Sequence, residues 1–231
     1  MPVIKEAIIL AGGLGTRLRS AVPDLPKCMA PVNGKPFIAY VIDYLRLQGI
    51  EKFILSLGYK SEAIISFINQ EYSGLSIQYS IEEEPLGTGG AIAFAAKIAI
   101  EENILITNGD TIFKVDVLEL SKQHLNTNAE CTLSLKPMQQ FDRYGVVELN
   151  AIQQVISFKE KKYYDEGLIN GGLYALHLPQ FFQKKFEEKF SFEKDYLEKY
   201  FSEQKMYGCI QNGYFIDIGI PEDYQKAQNE L

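Results

Sequence analysis

The chain of 231 residues has no tryptophan, only two histidines and only three cysteines. Cys28, Cys131 and Cys209 are odd in number and widely scattered, which suggests neither a disulfide framework nor a zinc site. No apolar run reaches the roughly 18 residues that a membrane-spanning helix needs. His124 and His177 fall on an expected helix and at an expected strand end, so we predict structural roles for both. The sequence thus points away from disulfide-rich, zinc-binding and membrane-spanning proteins.

Positive charge is also scarce. The formal net charge is −7, which argues against nucleic acid or a membrane surface as a general partner. The chain has only four arginines, and two of them, Arg17 and Arg19, lie in or just after a glycine-rich segment. Any anion bound by this protein must therefore meet a local concentration of positive charge. The first residues do not show the layout of a signal peptide, and we expect a cytoplasmic location.

Up to about residue 135, short apolar runs alternate with helical patterns. We predict strands at Glu6–Leu10, Lys52–Leu57, Ile77–Ser80, Ile104–Thr107 and Cys131–Leu135, and helices at Phe37–Gln48, Glu62–Glu71, Gly90–Ile100 and Val117–Asn126. This alternation predicts an α/β fold of the Rossmann-like kind, with a mixed, mostly parallel sheet and helices on both faces. Ligands bind to such sheets beyond the carboxyl ends of the strands.

Residues at the ends of these helices support the assignment. Pro36 is suited to a first helical turn and Gly49 to a C-terminal stop, while Ser61 and Asp116 are suited to N-caps.

The pattern changes after residue 135, where strands have fewer helices between them. We predict strands at Tyr144–Leu149, Gln154–Phe158, Leu168–Leu176 and Met206–Ile210, and a last helix from about Pro221. We therefore expect a single domain over 1–231, with one half at about 1–135 and a smaller antiparallel or mixed β half at about 136–231.

A glycine-rich turn follows the first predicted strand, in the segment Ile-Ile-Leu-Ala-Gly-Gly-Leu-Gly-Thr-Arg-Leu at 8–18. Glycines allow backbone N–H groups to approach an anion, and Arg17 adds a guanidinium that fits phosphate oxygens. Lys27, which follows Pro26, adds a mobile point charge. The dinucleotide fingerprint is excluded, because Leu18 stands where its last glycine is required, and no register gives a P-loop. Taken alone, the turn also fits a tight strand-to-helix connection.

Two aspartates are candidates for binding a metal ion. Asp110 ends the segment Asn108-Gly109-Asp110 after a predicted strand, where a carboxylate faces the ligand crevice and suits Mg²⁺ bound with phosphates. The alternative is an ordinary turn. Asp217 is a single acid in the apolar segment 214–219, and such a carboxylate must be paired, hydrogen-bonded or metal-bound. A satisfied structural acid is the alternative there.

Four further segments carry candidate binding residues. In Glu-Glu-Glu-Pro-Leu-Gly-Thr-Gly-Gly at 82–90, the glycines allow backbone to lie against a flat base, although three glutamates before a proline are also typical of a solvated turn. The run Phe-Lys-Glu-Lys-Lys at 158–162 would otherwise be a surface charge run. The remaining two segments are Tyr144-Gly145 and Ile-Asn-Gly-Gly-Leu-Tyr at 169–174.

Together these strings resemble the signature of the sugar-1-phosphate nucleotidyltransferases, which join a sugar phosphate to a nucleoside triphosphate and release pyrophosphate. The resemblance runs from residue 6 to about 225. It implies a nucleotide-diphospho-sugar transferase fold with Mg²⁺ as the cofactor. The implied catalytic residues are Arg17, Lys27 and Asp110, with Asp110 and Asp217 as metal ligands. The implied nucleotide-binding residues are Leu10, Ala11, Gly12, Gly13, Gly15, Thr16, Glu82, Gly87, Thr88 and Gly109, and the implied sugar-phosphate-binding residues are Tyr144, Gly145, Glu160, Lys161 and Asn170. Lys162 departs from the family, where a proline is common.

Within this family the motifs most resemble those of the D-glycero-D-manno-heptose 1-phosphate guanylyltransferases, although Cys28 replaces a usual proline. The resemblance implies GTP and a heptose 1-phosphate as substrates, and Glu82 could accept hydrogen bonds from the guanine edge. Mannose-1-phosphate guanylyltransferase is the next alternative, followed by a thymidylyl- or uridylyltransferase. A catalytically silent subunit that senses nucleotide sugars is less favoured, because Lys27, Asp110, Lys161 and Asp217 are all present. The sequence leaves open whether the protein forms a homo-oligomer.

Overall fold

The computed structural model describes residues 3–13, 18 and 22–231. In this part of the chain the strands are β1 (Glu6–Leu10), β2 (Pro31–Val32), β3 (Lys35–Pro36), β4 (Lys52–Leu57), β5 (Ser76–Ile81), β6 (Asn103–Asn108), β7 (Thr111–Phe113), β8 (Cys131–Phe141), β9 (Val146–Leu149), β10 (Val155–Lys159), β11 (Tyr164–His177), β12 (Met206–Ile210) and β13 (Phe215–Asp217). The α-helices are α1 (Phe37–Leu47), α2 (Ser61–Glu71), α3 (Gly87–Ala95), α4 (Val117–Asn126), α5 (Leu178–Phe181), α6 (Glu198–Tyr200) and α7 (Pro221–Glu230). A π-helix covers Phe192–Leu197.

The main sheet has nine strands, and its central path runs β10-β9-β11-β6-β1-β4-β5. Strands β5, β4, β1 and β6 are mutually parallel, and β11 joins β6 in the antiparallel sense. Strand β8 pairs with β11, and β12 pairs with β8. The predicted α/β architecture with a parallel core is confirmed. The division into two halves near residue 135 stays a prediction.

Both faces of the parallel strands β1, β4 and β6 are buried. Ile8 and Ile54 belong to the apolar core on one face, whereas Ile9 and Leu55 belong to the core on the other. This split follows from the alternation of side chains along a strand, and a sheet buried on both faces explains why these strands are continuously apolar. Helices α1 and α2 cover the face that includes Ile9, and α3 covers the face that includes Ile8.

Several predicted boundaries need correction. Helix α2 begins at Ser61, and the residue before it is Lys60 with a φ of 53°, so Ser61 is not the N-cap. Pro36 lies in β3, just before the first residue of α1. Helix α3 begins at Gly87 instead of Gly90, because Gly87, with a φ of 75°, turns the chain directly into the helix.

Two predicted helix ends are confirmed. Asp116 caps α4, since its side chain accepts a hydrogen bond from the Glu119 N–H at 2.9 Å. Gly49 follows α1 with a φ of 93°, which favours glycine, and its N–H bonds to the Arg46 carbonyl.

In the second half the strands occur where expected but with shifted ends. Strand β9 begins at Val146 instead of Tyr144, and β10 covers Val155–Lys159 instead of 154–158. Strand β11 extends over fourteen residues because it pairs with β8 along most of its length. Helix α7 begins at Pro221, as predicted.

Among the helices of residues 3–13 and 22–231, none combines the length and the apolar character required to cross a lipid bilayer.

His124 on α4 is a structural histidine. Its side chain is buried, and its ring nitrogens lie 2.9 Å from Thr132 Oγ1 and 3.1 Å from Asn103 Oδ1. Burial, together with a smaller repulsion from His177, lowers the pKa of His124 from 6.5 to about 4.

This lowered pKa predicts a loss of stability in acid. Below pH 6.5 the unfolded chain binds a proton at His124, whereas the folded chain does not bind it until about pH 4. The free energy of unfolding should therefore fall by about 3 kcal/mol between these values on account of this residue. Urea unfolding of the wild type and of His124→Gln from pH 4 to 7 measures it. The variant should show the smaller loss, and equal losses would contradict the prediction.

Candidate active site

A lysine and two aspartates form a compact charged cluster at the carboxyl end of the parallel strands. Lys27 Nζ lies 2.5 Å from Asp110 Oδ2 and 3.2 Å from Asp217 Oδ1. The lysine side chain is only 11% exposed, while those of Asp110 and Asp217 are 31% and 27% exposed. Two carboxylates around one ammonium leave a net negative charge, which favours a further cation.

Three separate parts of the chain supply this cluster. Lys27 begins a short 3-10 helix, Lys27–Met29. Asp110 lies between β6 and β7, and Asp217 ends β13. Because β7 pairs with β13 in the register Thr111↔Asp217, the two aspartates become neighbours although they are far apart in sequence. The Ile218 N–H also donates to the Asp110 carbonyl at 3.1 Å, which ties the two turns together.

Gly219 makes room for the cluster. A Cβ at this position would lie 2.9 Å from Asp217 Oδ1 and 3.2 Å from Lys27 Nζ. The glycine therefore lets the chain pass directly behind the charged groups. In the sequence, the feature that indicates a role for Gly219 is its position two residues after Asp217, in the segment Asp-Ile-Gly.

The donor set fits a magnesium ion. Asp110 and Asp217 offer hard carboxylate oxygens, and Mg²⁺ in proteins is typically held by one or two carboxylates together with substrate phosphates and water. In residues 3–13 and 22–231 no group of three or more His, Cys, Asp or Glu side chains is arranged to hold a metal ion. The two carboxylates are thus suited to a metal that arrives with a phosphate ligand.

Cys28, beside Lys27, takes no part in this chemistry. Its side chain is buried, and its thiol faces the Ala11 carbonyl at 3.9 Å. Burial, with a smaller effect of Asp110, raises the pKa of Cys28 to about 12. The thiol is therefore neutral and unreactive at physiological pH.

The first glycine loop begins at the same edge of the sheet. Leu10 pairs with Ser56 and Asn108 in register, and the Gly109 N–H donates to the Leu10 carbonyl at 2.8 Å. Ala11, Gly12 and Gly13 continue from this edge, with Ala11 buried and Gly13 exposed. The other predicted loop residues, Gly15, Thr16 and Arg17, lie outside the described part of the chain.

Close backbone packing favours glycine at position 12. A Cβ there would lie 3.1 Å from the Gly58 nitrogen and 3.4 Å from Glu82 Oε1. Glu82 therefore lies beside the first glycine loop. Its carboxylate accepts from the Leu86 N–H at 3.0 Å and from Ser56 Oγ at 3.3 Å. These contacts orient the side chain and leave it acceptor capacity for a ligand.

The glycines after Glu82 pack against the protein itself. A Cβ on Gly87 would lie 2.5 Å from the Phe190 carbonyl oxygen, and one on Gly89 would overlap the Phe190 ring at 2.2 Å. A Cβ on Gly90 would lie 2.5 Å from the Glu188 carbonyl oxygen. The glycines thus form a socket for Glu188 to Phe190. This contact alone explains why small residues stand at these three positions, and no contact with a nucleotide base is needed to explain it.

The predicted sugar-phosphate residues line one cleft. It has a volume of about 520 Å³, and all five of them contribute to its wall together with Asp217. These five are Tyr144, Gly145, Glu160, Lys161 and Asn170. Gly145 is required by close packing, since its Cβ would lie 2.4 Å from the Lys159 carbonyl oxygen. The cleft therefore extends from the charged cluster to residues able to bind hydroxyl groups and a phosphate.

A bulge in β11 orients Asn170. The pairing of β11 with β8 shifts register between Asn170 and Tyr174, and Gly172 adopts a φ of 72° there. The Asn170 side chain accepts from the Gly172 N–H at 3.0 Å and donates to the Tyr174 hydroxyl at 2.8 Å. The amide is thereby held at the wall of the cleft.

Tyr144 forms another part of the wall. Its ring packs edge-on against Phe215 at 5.8 Å, next to Asp217. Burial, and to a smaller extent the charge of Asp217, raises the pKa of Tyr144 above its usual value. Arg143 Nη2 donates to the Tyr144 hydroxyl at 3.2 Å, and it also pairs with Asp223 on α7. The phenol is therefore neutral and able to donate a hydrogen bond.

Several residues that line the cleft have no predicted role. Asn108 lies at the end of β6, and Glu193, Lys194, Leu197 and Glu198 come from the π-helix and the start of α6. The segment Phe-Ser-Phe-Glu at 190–193 also resembles the heptose 1-phosphate guanylyltransferases, and this resemblance is a sequence signal for the region.

Comparison with known proteins gives consistent matches over nearly the whole chain. The family model described as Nucleotidyl transferase matches residues 6–231. The D-glycero-alpha-D-manno-heptose 1-phosphate guanylyltransferase of Aneurinibacillus thermoaerophilus is 55% identical over 226 residues, which are 98% of each chain. The protein of the same name from Campylobacter jejuni is 49% identical and covers 95% of this chain and 96% of its own.

The crystal structure of HddC from Yersinia pseudotuberculosis is 37% identical and superposes with a TM-score of 0.89, covering 98% of this chain and 99% of its own. The crystal structure of that protein complexed with GMP-PN superposes with a TM-score of 0.88. The fold of this chain is therefore that of the nucleotide-diphospho-sugar transferases. With a family model matched from Glu6 to Leu231 and two relatives near 50% identity, the chain belongs to the nucleotidyl transferase family.

Proposed function

We propose that this protein transfers the GMP part of GTP to D-glycero-α-D-manno-heptose 1-phosphate, giving GDP-heptose and pyrophosphate. Two relatives that carry this activity in their names share 55% and 49% of their residues with the chain over nearly their full lengths. The observation that carries the reaction class is Lys27 held between Asp110 and Asp217 at the cleft that the predicted sugar-binding residues line.

The proposed chemistry is a direct in-line displacement. A phosphate oxygen of the heptose 1-phosphate forms a bond to the α-phosphorus of GTP. The bond from that phosphorus to the bridging oxygen breaks, and its electron pair leaves with pyrophosphate. The attacking phosphate is already ionised near neutral pH, so no general base is needed. Catalysis then depends on positioning and on neutralising charge.

Each part of the site has a role in this proposal. Arg17 and the N–H groups of the first glycine loop hold the β- and γ-phosphates. Lys27 neutralises charge near the α-phosphate. Lys161 brings the sugar phosphate to the triphosphate against their mutual repulsion. Glu160, Asn170 and the Tyr144-Gly145 segment bind the sugar. The charged side chains of Glu160 and Lys161 are exposed at the cleft, where a substrate can reach them.

Asp110 and Asp217 would hold Mg²⁺, which supplies positive charge at the phosphates when it is bound. We further propose that the protein acts in the cytoplasm and that its product serves the synthesis of cell-surface polysaccharide or glycoprotein.

The base preference tests the guanylyltransferase proposal. A carboxylate accepts hydrogen bonds from guanine N1–H and N2–H₂, so GTP should react faster than ATP, UTP or dTTP with the heptose 1-phosphate. A site built for specific polar groups rejects analogues that lack them by large factors, because its own buried groups stay unpaired. Glu82→Gln should reduce this preference more than it lowers the highest rate. Pyrophosphate release across four triphosphates and a panel of sugar 1-phosphates provides the measurement.

Glu83→Gln is the matched control, because Glu83 is an exposed neighbour in the same run. Equal kcat/KM for GTP and dTTP in the wild type would refute the guanylyltransferase proposal while leaving a nucleotidyltransferase. A preference for mannose 1-phosphate would indicate the alternative sugar. No pyrophosphate release with any pair would favour a nucleotide-sugar sensor.

A further inference from the structure

Glu193 is a carboxylate in the cleft that the proposed function does not use. It lies on the π-helix Phe192–Leu197, is half-buried and contributes to the wall that Asn170 and Lys161 also line. π-Helices occur frequently at functional sites. A carboxylate removed in part from water requires hydrogen-bond donors, and sugar hydroxyls are suitable donors.

Two hydroxyl groups of the protein orient this carboxylate. Thr88 Oγ1 donates to Glu193 Oε2 at 2.7 Å, and Ser191 Oγ donates to the same oxygen at 3.0 Å. The Phe192 N–H donates to Thr88 Oγ1 at 2.9 Å, so the threonine hydroxyl is used as donor and as acceptor. No donor from residues 3–13 or 22–231 bonds to the second carboxylate oxygen, Oε1.

Thr88 belongs to the segment 82–90 that is predicted to recognise the base. It is the second residue of α3, whose first turn is locked to the chain at Phe190 by the hydrogen bond from the Gly89 N–H at 3.0 Å. The Phe190 N–H in turn donates to the Leu86 carbonyl at 3.0 Å. The base segment and the segment that carries Glu193 are therefore joined by backbone hydrogen bonds, with each segment donating to the other.

On the other side, Glu193 is close to the residues predicted to bind the sugar. Tyr174 lines the same cleft, and its ring packs edge-on against Phe192 at 5.0 Å. Burial chiefly, and then the charge of Glu193, raises the pKa of Tyr174 well above its usual value. Asn170 donates to the Tyr174 hydroxyl. Glu193, Tyr174 and Asn170 thus line the same cleft, and Thr88 is hydrogen-bonded to Glu193.

We propose that Glu193 binds a hydroxyl group of the sugar and that Thr88 is its positioning residue, so that the base segment sets the geometry of the sugar site. This inference rests on the proposed function. It also revises the predicted role of Thr88, whose side-chain hydroxyl serves Glu193 instead of the base. A shift of the base segment when a nucleotide binds is then transmitted to the sugar site through the Thr88–Glu193 hydrogen bond and the other hydrogen bonds that join the two segments.

The test compares four single variants and one double variant of the full chain. Glu193→Gln should raise the KM of the heptose 1-phosphate about tenfold, since hydrogen bonds to charged groups are the strong ones. Thr88→Val removes the donor with little change of shape and should raise the same KM about fivefold, whereas Thr88→Ser keeps the hydroxyl and should restore it. Glu187→Gln, an exposed glutamate of the same segment, is the matched control.

The double variant Thr88→Val, Glu193→Gln should resemble Glu193→Gln alone, because the threonine acts through the glutamate. Multiplication of the two effects would refute the coupling. An increase in the KM of GTP alone for Thr88→Val would show that Thr88 serves the base, and an unchanged sugar KM for Glu193→Gln would refute the sugar contact.

Calorimetric titration with the heptose 1-phosphate separates this inference from the proposed function. Wild-type protein that binds the heptose 1-phosphate without releasing pyrophosphate contradicts the proposed function alone. The dissociation constant of Glu193→Gln should then still be about ten times that of the wild type. Equal dissociation constants, or no binding by the wild type, would overturn the inference.

Discussion

Replacing Asp110 or Asp217 by asparagine is expected to lower turnover by at least about 10²-fold, the usual effect of removing one preorganised group that stabilises charge in the transition state. Asparagine keeps the shape and still accepts a hydrogen bond from Lys27, so the fold should be retained. The lost negative charge, however, weakens the hold on a divalent cation. Pyrophosphate release at increasing Mg²⁺ concentrations, with thermal unfolding as the check on folding, measures both effects.

The matched control for this pair is Asp165→Asn, because Asp165 is exposed on β11 and contacts Tyr163. Its rate should stay close to that of the wild type. Wild-type protein in excess chelator should lose activity and regain it with added Mg²⁺. Full turnover by either site variant, or by wild type under chelation, would refute the two-aspartate metal site.

Replacing Lys27 by alanine is expected to lower kcat by about 10²–10³-fold. The ammonium lies within 3.2 Å of both aspartates, and its side chain is nearly excluded from water. Its charge meets a negative charge that grows in the transition state, so the loss should appear in kcat more than in KM. Without it the two carboxylates also repel each other, which raises the affinity of the site for metal cations.

Lys27→Arg should rescue little of this activity, since a planar guanidinium cannot occupy the space of a compact ammonium between two carboxylates. Lys122→Ala is the control, because Lys122 is an exposed lysine on α4. Steady-state kinetics with both substrates varied distinguishes the two parameters. A rise in KM with an unchanged kcat would show that the role of Lys27 is assigned wrongly.

The parallel strands could be predicted because their signal is local. Glu6–Leu10 and Lys52–Leu57 were predicted with the correct ends, since strands buried on both faces are continuous apolar runs. The pairing of β7 with β13 could not be predicted in this way, because each strand has only three residues and their partners lie about a hundred positions away. This pairing brings Asp110 and Asp217 next to each other.

The residues of the sugar cleft also come from distant parts of the chain, so their proximity could not be predicted from local sequence patterns. Glu160, Lys161 and Asn170 were assigned by resemblance, and the structure brings them to one cleft. Glu193 was missed because its significance depends on a π-helix and on a hydrogen bond to Thr88, 105 positions earlier in the chain. Neither leaves a periodic pattern in the sequence. The roles of all these residues stay predictions until the variants are measured.

The glycine socket for Phe190 has a consequence for protein engineering. Transplanting residues 82–90 from a relative with another base preference is an obvious way to change nucleotide choice. Gly87, Gly89 and Gly90 lie in contact with the backbone of Glu188 to Phe190 and with the Phe190 ring. The transplanted residues 82–90 must therefore be complementary in shape to residues 188–190 of the chain that receives them. A chimera that carries 82–90 alone should express poorly. One that also carries residues 186–193 from the same donor should recover solubility, so the two stretches form one exchangeable cassette.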